Sequence, residues 1–148
     1  MFTLEKESPL PEMECLGERY RKGYEITHVL LVEDHAAFRE ALAAFLNQEQ
    51  DLEVVAQVSS LAEGRSILPD AIDVAVIDIY LPDGDGLELV REMRQVKPRL
   101  GILMLTGSLD PTSETLAKEV GADEVLYKAA GVVEIADAIK RIIARRAG

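Results

Sequence analysis

Short apolar runs at Val29–Val32, Val74–Ile77 and Ile102–Leu105 alternate with stretches in which apolar residues return every three or four positions. The runs suit buried strands and the stretches suit amphipathic helices. Strands are predicted at His28–Val32, Glu53–Val58, Val74–Ile77, Ile102–Leu105 and Glu124–Tyr127. Helices are predicted at His35–Gln48, Leu61–Leu68, Leu87–Val96, Thr112–Val120 and Val132–Arg146. The first turns Phe38, Ala41, Leu42, Phe45 and Leu46 to one side. The second is weaker and stops at Pro69. The third carries Leu89, Val90, Met93 and Val96 inward, the fourth ends at Gly121, and the last buries Ile135, Ala138, Ile139 and Ile142. Five successive βα units with strands apolar on both faces predict an α/β fold, a parallel sheet with helices on both sides.

Residues 1–26 break this rhythm. They hold Pro9, Pro11, Gly17 and Gly23 and no continuous apolar run. They are expected to be an N-terminal arm, either flexible or a short helix with Met13, Leu16, Tyr20 and Tyr24 as its stripe, ahead of a domain over 27–148.

In an open parallel sheet, ligands bind beyond the carboxyl ends of the strands. The residues just past the runs are therefore the informative ones. Glu33 and Asp34 follow the first, Asp78 the third, Thr106 the fourth and Lys128 the fifth. Three carboxylates brought together repel one another and attract a cation. Oxygen ligands at that density suit a hard divalent ion such as Mg²⁺, which keeps waters and meets phosphate oxygens. A lysine and a threonine hydroxyl can meet other phosphoryl oxygens, and a carboxylate can attack a phosphoryl donor. Each residue has an ordinary explanation as well: Asp34 as a helix cap, Lys128 as a solvated strand end.

As a set, these residues resemble the receiver domain of two-component response regulators. The resemblance rests on VLLVEDHAAFREALAAFL, VAVIDIYLPDGDGLELVREMR, ILMLTGS and GADEVLYKAA, from about Thr27 to Arg145. The diagnostic stretch is Asp78, then Leu81-Pro82, then Gly84 and Gly86. DHAAFREAL and LYKAAG are most similar to receivers of NarL/LuxR-type regulators. The resemblance implies a doubly wound, flavodoxin-like five-stranded sheet in the order 2-1-3-4-5. It implies Asp78 as phosphoacceptor and Mg²⁺ held by Glu33, Asp34, Asp78 and the Tyr80 carbonyl. Thr106 would be the switch hydroxyl and Lys128 the partner of the phosphoryl group. The phosphodonor would be a histidine kinase or a histidine phosphotransfer protein.

Three positions depart from the family pattern. Val125 stands where Tyr or Phe is usual, so the aromatic rotamer switch is missing, with Tyr127 as the nearest substitute on the same strand face. Ala129 follows the lysine in place of Pro. Gly107 follows Thr106 where Ala or Ser is common. Tyr80 and Ser108 lie two residues past Asp78 and Thr106, where the family tunes the lifetime of the acyl phosphate. A bulky Tyr80 is expected to shield it.

Other motifs weigh less. Asp83-Gly84-Asp85-Gly86 lacks the spacing of a calcium loop and is expected to be a tight turn. His35 is expected to be a first-turn helix residue. Lys140, Arg141, Arg145 and Arg146 complement the carboxyl end of the last helix.

Of the 148 residues, 48% are hydrophobic and 29% charged, which fits one domain with a core. No apolar run approaches the roughly 18 residues of a membrane span. Cys15 is the only cysteine, which excludes an internal disulfide and any multi-cysteine metal site, and a reducing, cytoplasmic setting is the default. The net charge of −11 disfavours nucleic acid. NarL/LuxR-type regulators continue into a DNA-binding domain, but only 20 residues follow Lys128, so the chain is expected to be either a single-domain regulator or a truncated one. Taken as given, its output is expected through protein contacts, with an output protein or a second copy, and not through DNA. Two other readings remain open. A haloacid-dehalogenase-type phosphatase shares the Asp, Mg²⁺, Thr and Lys, but has a second Asp where Tyr80 stands. A phosphorylation-independent interaction module fits the missing aromatic.

Overall fold

The computed structural model describes residues 19–108 and 110–147. Five strands form one parallel sheet: β1 (Thr27–Val32), β2 (Leu52–Val58), β3 (Val74–Asp78), β4 (Gly101–Thr106) and β5 (Glu124–Tyr127). Their order is β2-β1-β3-β4-β5, all pairs parallel, as expected. Between them run α1 (Ala36–Asn47), α2 (Leu61–Arg65), α3 (Gly86–Val96) and α4 (Pro111–Val120), and α5 (Val132–Ala147) closes the chain.

Alternation along the strands divides the core into two layers. Leu30, Val32, Ala75, Ile77, Ile102 and Met104 pack with Leu61 of α2, with Leu89, Val90 and Met93 of α3, and with Ala117 of α4. Val29, Leu31, Val74, Val76, Leu103 and Leu105 pack with Leu42, Ala43 and Leu46 of α1 and with Ile135, Ala138, Ile139 and Ile142 of α5. Because both faces are covered, β3 and β4 are buried along their whole length. The polar residues Asp78 and Thr106 stand at the last positions of these two strands, and Glu33 and Lys128 just past the ends of β1 and β5.

Several local expectations need correction. Ala41 of α1 is exposed, and Ala43 is buried in its place. Val96 is 68% exposed, as the last residue of α3. The second helix ends at Arg65, three residues early: the Ser66 hydroxyl donates to the Glu63 carbonyl, and a 3-10 turn follows at Pro69–Ala71. Tyr20 and Tyr24 are not helical. Tyr20–Arg21 and Tyr24–Glu25 form a small antiparallel hairpin. Lys22 and Gly23 take positive φ at its turn, the conformation that fits a two-residue hairpin loop. Met13 and Leu16 lie outside the described residues. Ile26, assigned to the arm, is 2% exposed and belongs to the core. Lys140, Arg141, Arg145 and Arg146 do more than complement a helix end: they pair with Glu49, Glu124 and Asp123.

The expected tight loop closes a small hairpin, Tyr80–Leu81 pairing with Gly84–Asp85. The Asp85 side chain then accepts the Leu87 N–H and caps α3. Gly86 lets that helix start against the end of β3: a Cβ there would lie 2.1 Å from the Asp78 carbonyl oxygen. A Cβ on Gly107 would meet nothing within 4 Å. Gly86→Ala is therefore expected to lower stability in urea unfolding by about 1–3 kcal/mol. Gly107→Ala is expected to be neutral or stabilising by about 0.5 kcal/mol. Equal midpoints for the two variants would contradict this packing.

Candidate functional site

The strand ends come together along the carboxyl edge of the sheet. Glu33 follows β1, Asp78 ends β3, Thr106 ends β4 and Lys128 follows β5. Glu33, Asp78 and Thr106 are the buried polar side chains of the described residues, at 3%, 4% and 0% exposure. The Lys128 ammonium lies 2.8 Å from Glu33 Oε1 and 2.9 Å from Asp78 Oδ2. Asp34 is exposed at the rim, and Glu33, Asp34 and Asp78 each bring a carboxylate oxygen within 4.8 Å of the others. Asp34 does not cap α1; the N-cap position is His35, whose side chain makes no capping bond.

The β1–α1 turn is tied to the pocket through the backbone. The His35 N–H donates to Glu33 Oε2 at 2.8 Å, and Arg39 Nη1 donates to the Glu33 carbonyl at 2.7 Å. Burial raises the Glu33 carboxyl above its ordinary range, outweighing the Lys128 and His35 contacts that pull it down; the Asp78 charge raises it further. For Lys128 burial works downward, but the close contacts with the Glu33 and Asp78 carboxylates outweigh it and hold the ammonium above its ordinary range. Three carboxylates face one ammonium, and Glu33 Oε1 has the Lys128 ion pair but no well-directed hydrogen bond. Hard oxygen donors with excess negative charge fit a divalent cation of the Mg²⁺ kind.

The remaining expected residues fall around this centre. The Tyr80 N–H donates to Asp78 Oδ1 at 3.3 Å, while its ring is 61% exposed. The Thr106 hydroxyl donates to the Ser108 carbonyl at 3.0 Å and accepts the Ser108 N–H at 3.2 Å. Val125 is half-buried against the α3–α4 side of the core. Tyr127 sits in register beside Thr106 and is 42% exposed. The His35 side chain is exposed and makes its contact through the backbone.

Two contacts were not foreseen. Lys128 Nζ lies 5.5 Å from the centre of the Phe38 ring, within cation–π range. Phe38 was expected only as core; its place one turn into α1, four residues past Asp34, is the signal that points to the pocket. Asp83, at the tip of the hairpin after Asp78, accepts the N–H groups of Leu61 and Ala62.

A family model described as the response regulator receiver domain matches residues 29–140. The chain is 37% identical over 119 residues to the DNA-binding transcriptional activator DevR/DosR of Mycobacterium tuberculosis, covering 80% of this chain and 55% of that protein. It is 29% identical over 117 residues to the response regulator protein VraR of Staphylococcus aureus, covering 76% and 54%. The chain thus spans about half the length of these relatives. Among solved structures, a LuxR-family two-component response regulator from Aurantimonas is similar with TM-score 0.76 and 28% identity, over 82% of this chain and 88% of that one. The signal receiver domain of the putative response regulator NarL from Mycobacterium tuberculosis shares the fold, with TM-score 0.75 and 24% identity over 81% and 98%.

A raised carboxyl pKa contributes stability that is complete below the unfolded value, near 4.5, and is lost as pH rises through the folded value. Relative to Glu33→Gln in chelator, the wild-type chain is therefore expected to lose stability as pH rises above the ordinary carboxylate range. Parallel urea-unfolding series test this, and a difference that stays flat or moves the other way contradicts it.

Proposed function

The chain belongs to the response regulator receiver domain family, and on that premise we propose that it is a phosphoacceptor switch in which Asp78 takes a phosphoryl group from a phosphohistidine. The observation that carries this reading is the Lys128 ammonium held between Glu33 and Asp78 at the carboxyl edge of the sheet. The donor would be a histidine kinase or a histidine phosphotransfer protein, and the output a change of protein–protein contacts. No helix of the described residues is long and apolar enough to cross a membrane.

In this mechanism an Asp78 carboxylate oxygen attacks phosphorus. The P–N bond to the donor imidazole breaks, the imidazole leaves and takes up a proton, and an acyl phosphate remains on Asp78. Glu33, Asp34, Asp78 and the Tyr80 carbonyl would hold Mg²⁺, which when bound offsets charge on the phosphoryl oxygens. Lys128 lies 2.9 Å from Asp78 Oδ2 and needs only a small displacement to meet a phosphoryl oxygen. The Thr106 hydroxyl, now bonded within its own loop, would turn to donate to another. Tyr80 beside Asp78, in place of a second Asp, removes the acid–base group a phosphatase would need.

Incubation with acetyl phosphate and Mg²⁺ is expected to label the chain once, and Asp78→Asn not at all. Lys128→Ala is expected to label about 10²-fold more slowly. An unlabelled wild-type chain would instead favour the phosphorylation-independent module. Tyr80 is also expected to slow attack by water, so the label on Tyr80→Ala should decay several-fold faster than on the wild-type chain, about 1 kcal/mol in barrier. An unchanged decay rate would remove Tyr80 from that role.

A further inference from the structure

The first four N–H groups of a helix have no partner within it. In α2 the first three are all met by side chains. The Ser60 hydroxyl accepts the Glu63 N–H at 3.1 Å. The other two are met from a distant loop: Asp83 Oδ1 accepts the Leu61 N–H at 2.8 Å and Oδ2 accepts the Ala62 N–H at 3.0 Å. Both oxygens of one carboxylate are thus spent on the start of a helix more than 20 residues earlier.

An apolar contact reinforces this bond. Leu61, 1% exposed, lies so close to Gly84 that a Cβ on that glycine would come within 2.6 Å of Leu61 Cδ1. The tip of the hairpin is fastened to α2 by Asp83 and fitted to it by Gly84. The hairpin itself is short and braced: Tyr80 pairs with Asp85 and Leu81 with Gly84. At its base, the Ile79 N–H donates to the Leu105 carbonyl and the Gly86 N–H to the Ile79 carbonyl. The two-residue ladder joins the tip to Tyr80, whose N–H contacts Asp78 Oδ1.

The geometry points to Asp83 as a positioning residue for the cation site, holding the hairpin so that the Tyr80 carbonyl stays in place beside Asp78 and coupling that site to α2. This rests on the reading of Tyr80 as a ligand under the proposed function. Coupling is reciprocal. If fastening the hairpin to α2 favours the cation, then binding the cation must favour the fastened α2 by the same factor.

The test is Mg²⁺ titration by calorimetry, together with amide hydrogen exchange at Leu61 and Ala62, on the whole chain without phosphodonor. Asp83→Ala is expected to weaken Mg²⁺ binding about fivefold, the lower end of ordinary coupling between sites. Asp83→Asn keeps one carbonyl acceptor and is expected to fall between the two. In the wild-type chain saturating Mg²⁺ is expected to slow exchange at Leu61 and Ala62, and in Asp83→Ala to leave it unchanged. Fast exchange at these amides with undiminished Mg²⁺ affinity overturns the inference alone, since Asp83 would then only cap α2. Failure of the wild-type chain to bind Mg²⁺ overturns it together with the functional reading beneath it.

Discussion

One ammonium group holds this pocket together. Two carboxyl side chains, Glu33 and Asp78, are buried within a few percent of completely. Unpaired buried charges are strongly unfavourable, and pairing with hydrogen bonds is what makes them tolerable. Lys128 meets both at under 3 Å. That contact requires the ends of β1, β3 and β5 to lie together although β5 is separated from β3 by β4, so the strand order and the chemistry are one constraint. The raised Glu33 carboxyl shows the compensation is incomplete: desolvation still outweighs the neighbouring donors.

Much of this was legible in the sequence because the sheet is covered on both sides. Double coverage turns strands into unbroken apolar runs, and the first polar residue after each run then marks the pocket edge. Glu33, Asp78, Thr106 and Lys128 are the residues so marked; Lys128 contacts Glu33 and Asp78, and Thr106 lies buried at the end of β4. The family resemblance then supplied roles, which pattern alone could not.

The misses share a cause. Periodicity reports the middle of an element and says little about its ends. Val96 fits the apolar stripe of α3 but is exposed as its last residue; α2 loses its last turn to Ser66 and the following proline. Tyr20 and Tyr24 have helical spacing, yet Lys22-Gly23 makes a tight hairpin the better local solution. The Asp83 contacts were invisible for a different reason. They join positions more than 20 residues apart through backbone N–H groups, and a donor that every residue except proline carries leaves no signature in sequence.

The paired bonds between Thr106 and Ser108 bear on how readily this edge can rearrange. The hydroxyl donates to one backbone group of its loop and accepts from another. Turning it out of the loop would surrender two hydrogen bonds, each worth about 1 kcal/mol net. A cost of that size is small enough for a change at the carboxyl edge to offset. The closer an equilibrium lies to even, the further a weak perturbation tips its populations, and the more easily it returns when the perturbation is withdrawn.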